Sequence, residues 1–88
     1  MSLAGVDLSS LDLTGVDLRC VDLSGANLSR TCLWGAEVGD ANFDGARIEG
    51  AELAQTKLGA TQSLDTSSCD ERTHFSAPWR CVAGRVRP

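Results

Sequence analysis

The chain has 88 residues, a mass of 9.3 kDa and a formal net charge of −4. That length allows one small domain, and aromatics at 5% with no Tyr exclude a large aromatic core. A pI near 4.7 argues against a general nucleic-acid binder, and apolar runs of two or three residues are too short to span a membrane. The amino terminus shows no basic stretch followed by an apolar segment, so no secretory leader is read and a cytoplasmic location is expected. Seven Arg against one Lys suggest a GC-rich bacterial source.

A repeat of period five starts at Leu3. Leu8, Leu13, Leu18, Leu23, Leu28, Leu33, Val38, Phe43, Ile48, Leu53 and Leu58 continue it, so twelve consecutive positions are apolar. Chance gives such a run roughly once in tens of thousands of trials at this composition. A second series of small or β-branched residues lies two positions earlier, from Val6, Leu11, Val16, Val21 and Ala26 through Ala51 and Thr56. A mostly polar residue precedes each centre, as at Asp7, Asp12, Asp17, Asp22, Asn27, Glu37, Asn42 and Glu52. Gly recurs two residues after the centre, from Gly5 to Gly50.

Period five excludes the regular elements. On an α-helix, residues five apart spiral around the axis and form no stripe. On a flat strand, an odd spacing sends alternate repeats to opposite faces. The chain must therefore bend once per repeat, with two side chains inward and three outward. Gly near the bend supplies the unusual backbone angles.

The unit Val16-Asp17-Leu18-Arg19-Cys20, or Ala26-Asn27-Leu28-Ser29-Arg30, resembles the pentapeptide-repeat family. The resemblance covers residues 1–60 and implies an all-β, right-handed quadrilateral β-helix. Four pentapeptides would make one square coil of 20 residues, giving about three coils. At about 4.8 Å per coil the rod would stand about 15 Å tall. Residues 20 apart would then stack, as Leu8 under Leu28 under Ile48. The outer columns would read Asp7/Asn27/Arg47, Asp12/Cys32/Glu52, Asp17/Glu37/Lys57 and Asp22/Asn42. Lys57 is expected to offset the repulsion of Asp17 and Glu37, and Arg47 to cap its own column. The bland reading of these columns is a solvated face.

The pattern fails at Ser63, and Thr61, Ser63, Thr66, Ser67 and Ser68 read as a loop. Asp70-Glu71-Arg72-Thr73-His74-Phe75 resembles the D-E-x-T-x-F segment that closes solenoids of this family. Residues 61–88 are therefore read as a cap, with Phe75, Trp79 and Val82 covering the open end of the core. They carry a charge of +1 against −5 for residues 1–60. The first coil has no matching device, so self-association through one end is expected. The family associates end to end more typically through carboxy-terminal elements, which leaves the end open.

No C-x-x-C pair occurs among Cys20, Cys32, Cys69 and Cys81, which argues against a zinc knuckle. Cys20 and Cys32 fall on different sides of the square. Cys69 and Cys81 can approach each other, but with no leader the reduced state is the expectation. A metal site from Cys69, His74 and Cys81 is not expected, and His74 reads as a surface residue. No spacing supports a nucleophile with a base, or two carboxylates in contrasting environments. The reading is therefore no enzyme and no cofactor.

Trp34 follows its centre, hence points outward, on the side that carries Asp12, Cys32 and Glu52. An outward Trp between small residues is a candidate partner anchor. Two functions follow from these features. One is a non-catalytic interaction or scaffold module that presents a rigid acidic surface to an unknown protein, with no direct nucleic-acid or membrane binding. The alternative, implied by the resemblance, is a DNA-mimicking modulator of DNA gyrase or topoisomerase that acts only as a dimer. A structural or assembly role is a third possibility that no residue separates from the first.

Overall fold

Each pentapeptide bends where its backbone turns left-handed. The computed structural model describes residues 2–58 and 64–88. Two residues after each centre φ is positive, at Gly5, Ser10, Gly15, Cys20, Gly25, Arg30, Gly35, Asp40, Gly45, Gly50 and Gln55. The N–H of the residue that follows donates to the carbonyl of the centre, as from Val6 to Leu3 and from Ala26 to Leu23. A positive φ at only the second central residue of such a turn is type II geometry, which favours Gly there.

The bends let the chain pair with itself. Parallel bridges join Ser2 to Asp22, Asp7 to Asn27, Asp12 to Cys32, Asp17 to Glu37, Asp22 to Asn42, Asn27 to Arg47 and Cys32 to Glu52. Every one spans 20 residues, the stacking distance expected above. From Asp7–Asn27 onward each contributes two ladder bonds, such as Asn27 N–H to Val6 O at 3.0 Å and Leu8 N–H to Asn27 O at 2.8 Å. The result is an all-β solenoid. Its described residues contain no α-helix, only a 3-10 turn at Leu64–Thr66 and four short strands.

The core fills the inside of the coils. Leu18, Leu23, Leu28, Leu33, Val38, Phe43, Ile48, Leu53 and Leu58 are buried, with Ala26, Ala36, Ala41, Ala46 and Ala51 at the inner corners. Leu3, Leu8 and Leu13, in the first turn, are only partly buried and pack against this core from one side. There Val6 and Leu11 are 39% and 45% exposed. Among the described residues four hydroxyl side chains are buried, and each donates to a carbonyl one turn below. Thr31 bonds Leu8 O at 2.7 Å, Thr56 bonds Leu33 O, Ser67 bonds Phe43 O and Thr73 bonds Ile48 O. The bond offsets the cost of taking each hydroxyl out of water.

The position before each centre makes the bends rigid. Oδ1 of Asp7, Asp12, Asp17 and Asp22 accepts the backbone N–H two residues on, at 3.0–3.1 Å. Asn27 and Asn42 do the same with their amide oxygens. The carboxylates answer to these donors. The Ser9 hydroxyl and then its N–H lower the Asp7 pKa, and Thr14 acts likewise on Asp12. The Ser24 N–H does most for Asp22. At Asp17 the Arg19 guanidinium, then the Arg19 N–H, lower the value to about 2.

The carboxy-terminal segment continues the ladder before it caps it. Arg47 pairs in parallel with Ser68, and Glu52–Leu53 (β1) pairs in parallel with His74–Phe75 (β2). These registers are 21 and 22 residues, so the fourth turn is slightly longer than the others. The pattern break at Thr61 and Ser63 lies outside the described residues, whereas Ser67 and Ser68 belong to the ladder and not to a loop. Arg80–Val82 (β3) and Arg85–Arg87 (β4) form an antiparallel hairpin. Ala83 and Gly84 both have positive φ, the signature of a type I′ turn. An antiparallel bridge from Ser68 to Arg85 docks the hairpin.

Two expectations for this cap need correction. Val82 does not cover the core; it is 44% exposed because it shares the outer face of β3 with Arg80. The buried residues there are Val86, Leu64 and Cys69, with Phe75, Trp79 and Cys81 packed beside them. Cys69 and Cys81 are not a reduced pair but a disulfide, with Cα atoms 6.0 Å apart. The bridge from Ser68 to Arg85 brings the hairpin against the fourth turn and places the two thiols together.

Three expectations follow from these contacts. Gly25→Ala meets no atom within 4 Å of the new Cβ, yet sits at φ 65°. It should cost about 1 kcal/mol through the left-handed backbone alone, a fall of roughly 4–8 °C in Tm. Gly39→Ala, at ordinary φ, should leave Tm unchanged or slightly raised. Cys81→Ser releases the hairpin from the fourth turn; by the loop-entropy estimate for a loop of roughly this size it should cost about 3 kcal/mol, read from urea melts. The third concerns acid. The aspartate pKa values are depressed in the folded state, so their stabilisation is complete above the ordinary 3.8 and is lost as pH falls through the folded values. Tm should drop between about pH 4 and 2. The triple variant D7N/D12N/D22N keeps its turns, as Asn27 does, and should show a flatter acid limb.

Candidate interaction face

The 20-residue register gathers the outward residues into columns. One column runs Asp12, Cys32, Glu52 and then His74, through the bridges of Asp12 to Cys32 and Cys32 to Glu52 and the β1–β2 pairing. The adjacent column holds Thr14, Trp34 and Ala54, linked by Gly15 N–H to Trp34 O at 3.0 Å and Gly35 N–H to Ala54 O at 3.1 Å. Trp34, Asp12, Cys32 and Glu52 therefore share one face, as the spacing predicts.

Trp34 is half exposed between its small neighbours. Around it the polar groups hold one another in place. The Thr14 hydroxyl donates to Asp12 Oδ1 at 2.6 Å and lies 3.2 Å from Cys32 Sγ. Glu52 Oε1 accepts the Ala54 N–H at 2.9 Å, while Oε2 lies 3.1 Å from His74 Nδ1. The Ala54 N–H lowers the Glu52 pKa; burial opposes it as the next largest effect, and His74 adds a smaller lowering. The face is thus an exposed indole in a frame of pre-set hydrogen bonds, with acidic charge at Asp12 and Glu52.

Residue chemistry on this face suits contact better than turnover. The Cys32 thiol lies against the Thr14 hydroxyl, and His74 lies against the Glu52 carboxylate. Among the described residues, no group of three His, Cys, Asp or Glu side chains could hold a metal ion. Cys69 and Cys81 are sulfur-bonded to each other and offer no thiolate for the Cys69/His74/Cys81 combination.

Spacing alone does not place His74 on this face. Its outward direction follows from the inward pair Thr73 and Phe75. Its column follows only from a 22-residue register that no period-five count supplies.

The charged columns differ in detail from their expectation. The cation beside Asp17 and Glu37 is Arg19, not Lys57. Arg19 Nη2 lies 2.8 Å from Asp17 Oδ2, and Nε lies 4.0 Å from Glu37 Oε2. A side chain two residues away on the same turn reaches further around the column than one a full turn above. Arg47 likewise turns to Glu49, at 4.0 Å, and not to Asp7. These pairs are exposed and contribute little to stability.

No helix among the described residues is long and apolar enough to cross a membrane. No curated protein matches the chain. Solved structures do, among them two pentapeptide-repeat proteins. A pentapeptide-repeat protein, Rfr23, from the cyanobacterium Cyanothece 51142 is 30% identical over 85% of this chain, with a TM-score of 0.57. The chain spans 57% of that protein's length. The pentapeptide-repeat protein alr5209 from Nostoc PCC 7120 is also 30% identical, over 90% of this chain and 73% of its own, with a TM-score of 0.47. The family model for pentapeptide repeats matches in eight copies over residues 2–35 and 22–59. Together with the five-residue bends and the 20-residue ladder, that match shows that the chain belongs to the pentapeptide-repeat family.

Proposed function

We propose that this chain is a non-catalytic interaction or scaffold module that presents a rigid acidic β-helix to another protein. The observation that carries the reading is Trp34: a large indole, half exposed, on a flat face of hydrogen-bonded turns. A fixed backbone loses little entropy when a partner docks, so the exposed ring contributes to binding almost in full. The four bridged positions in each 20 residues support a four-sided rod of about three coils over residues 1–60, which the ladder through Ser68 and His74 extends into a partial fourth turn before the hairpin caps it.

A second reading draws on the first turn. Asp7, Asp12 and Asp17 are exposed there, and their neighbours keep them ionised. A rod with such a face could imitate DNA toward gyrase or a related topoisomerase. Three coils of about 4.8 Å reach only about 15 Å, or four to five base pairs, so this reading needs copies joined end to end.

The test of the main reading compares wild type with Trp34→Ala as bait in host lysate, after melts confirm equal stability. A hot-spot Trp is worth 2 kcal/mol or more, about 30-fold in affinity. A bound protein should therefore disappear from the variant's eluate while background bands persist. Equal recovery of every bound protein by both baits removes Trp34 from the reading. Inhibition of DNA supercoiling by gyrase, insensitive to Trp34→Ala, would favour the second.

A further inference from the structure

One wall of this acidic rod is basic. Its column runs Asn27, Arg47, Ser68 and Arg85 through two parallel bridges and one antiparallel bridge. Residues paired across a ladder project to the same side, so Arg47 and Arg85 share this wall, and both are exposed. Beside the column lies a groove of about 310 Å³, rimmed by Arg30, Arg47 and Arg72 with Asn27 and Ser29 on its floor. That volume is at the small end for a ligand site. Among the described residues Arg30 and Arg72 form no ion pair within 4.0 Å and no side-chain hydrogen bond. Arg47 has only Glu49 Oε1, 4.0 Å from its Nε and beyond hydrogen-bond reach.

The backbone around these donors is already fixed. The Arg30 stem crosses the bare backbone of Gly50, where an added Cβ would stand 3.2 Å from Arg30 Cγ. Arg30 N–H also donates to Glu49 O at 2.9 Å. Asp70 Oδ1 clamps the far side, accepting the Gly50 N–H at 2.9 Å, the Arg72 N–H at 3.0 Å and the Thr73 hydroxyl at 3.2 Å. Asn27 Oδ1 accepts both the N–H and the hydroxyl of Ser29, which leaves the Asn27 Nδ2 hydrogens without a described acceptor. Glu49 and Asp70 are the acids of the groove, so three guanidiniums leave it one positive charge in excess. The Asp70 oxygen is occupied by its clamp, and Glu49 Oε1 is shut off from solvent with no hydrogen bond.

We infer that this groove binds a phosphate ester, with Arg30, Arg47 and Arg72 donating to its oxygens and Asn27 Nδ2 adding an uncharged donor. The donor set selects the ligand. Guanidinium forks match phosphate and carboxylate alike, each giving two parallel bonds. A carboxylate brings two oxygens and one charge, too few for three forks and an amide. A phosphate ester brings three acceptor oxygens and about −1.5 to −2 charge at neutral pH. Arg85, further along the same column, adds attraction at longer range and no contact. The groove is open to water, so binding is modest and weakens with salt. It lies on the Asn27/Arg47 column and not on the Cys32/Glu52 column beside Trp34, so the inference goes beyond the interaction-module reading and stands apart from it.

The test is a nitrogen–proton NMR titration of the full, disulfide-bonded chain with inorganic phosphate, a phosphoserine peptide and adenosine monophosphate. The side-chain N–H signals of Arg30, Arg47, Arg72 and Asn27 should move together on one saturable curve, while those of Arg19 and Arg80 stay in place. Arg30→Gln and Arg72→Gln should each weaken binding about tenfold, the loss of one charged hydrogen bond. Glu49→Gln should tighten it severalfold, because it removes a carboxylate from the groove; a purely structural Glu49 predicts no gain. Tighter binding of the phosphopeptide assigns the phosphate to a protein side chain, and tighter binding of the nucleotide assigns it to a small ligand; either supports the site. The proposal is overturned if no probe gives a saturable shift at millimolar concentration, or if Arg19 and Arg80 respond as strongly. Equal affinity for an unphosphorylated glutamate-rich peptide overturns it too. The wild-type shifts decide the matter even where a variant fails to fold. Trp34→Ala should leave the titration unchanged, so this outcome and that of the lysate experiment are read separately.

Discussion

A left-handed residue every fifth position is the constraint on which the rest of this molecule depends. It turns the chain after each centre, so a run that would be a strand becomes one side of a coil. Only then do residues 20 apart meet, and only then can Asn27 donate its N–H to Val6 and Cys32 its N–H to Leu11. Six of these bends use Gly, and Ser10, Cys20, Arg30, Asp40 and Gln55 hold the same angle without it. The ladder above and below over-determines those five, which is how side chains persist where they are intrinsically unfavourable. Stability is thus shared between neighbouring turns, as in other solenoids.

The same geometry decides what the acidic residues do. A periodic row of aspartates looks like a charged functional surface in the sequence. In the fold each carboxylate closes its own turn by accepting an N–H two residues on. Asn27 and Asn42 fill the same position without charge, so the turn requires an acceptor and not an anion. The negative charge is therefore a property left free for solubility, steering or contact, and its depressed pKa values keep it in place to low pH.

After the turns, the core and the cap are accounted for, the indole of Trp34 remains with its bonded frame, on a side wall. Because the frame is built from the same hydrogen bonds that close the turns, the ring sits on a backbone that is already fixed.

Period five, the inward pairs, the outward position of Trp34 and its company on one wall were all legible in the sequence. Each depends on local rules: which side chain tolerates the bend, and which stack at a fixed 20-residue spacing. What the tertiary structure alone decided lies where that spacing changes. The registers of 21 and 22 residues put His74 beside Glu52, and Ser68 against Arg85. The docked hairpin then joined Cys69 to Cys81, buried Val86 in place of Val82, and turned three arginines outward. Arg19, and not Lys57, met Asp17 because side-chain reach, not column position, sets an ion pair. No periodic count contains these outcomes, since a shift of one residue in a β-ladder changes every neighbour above it.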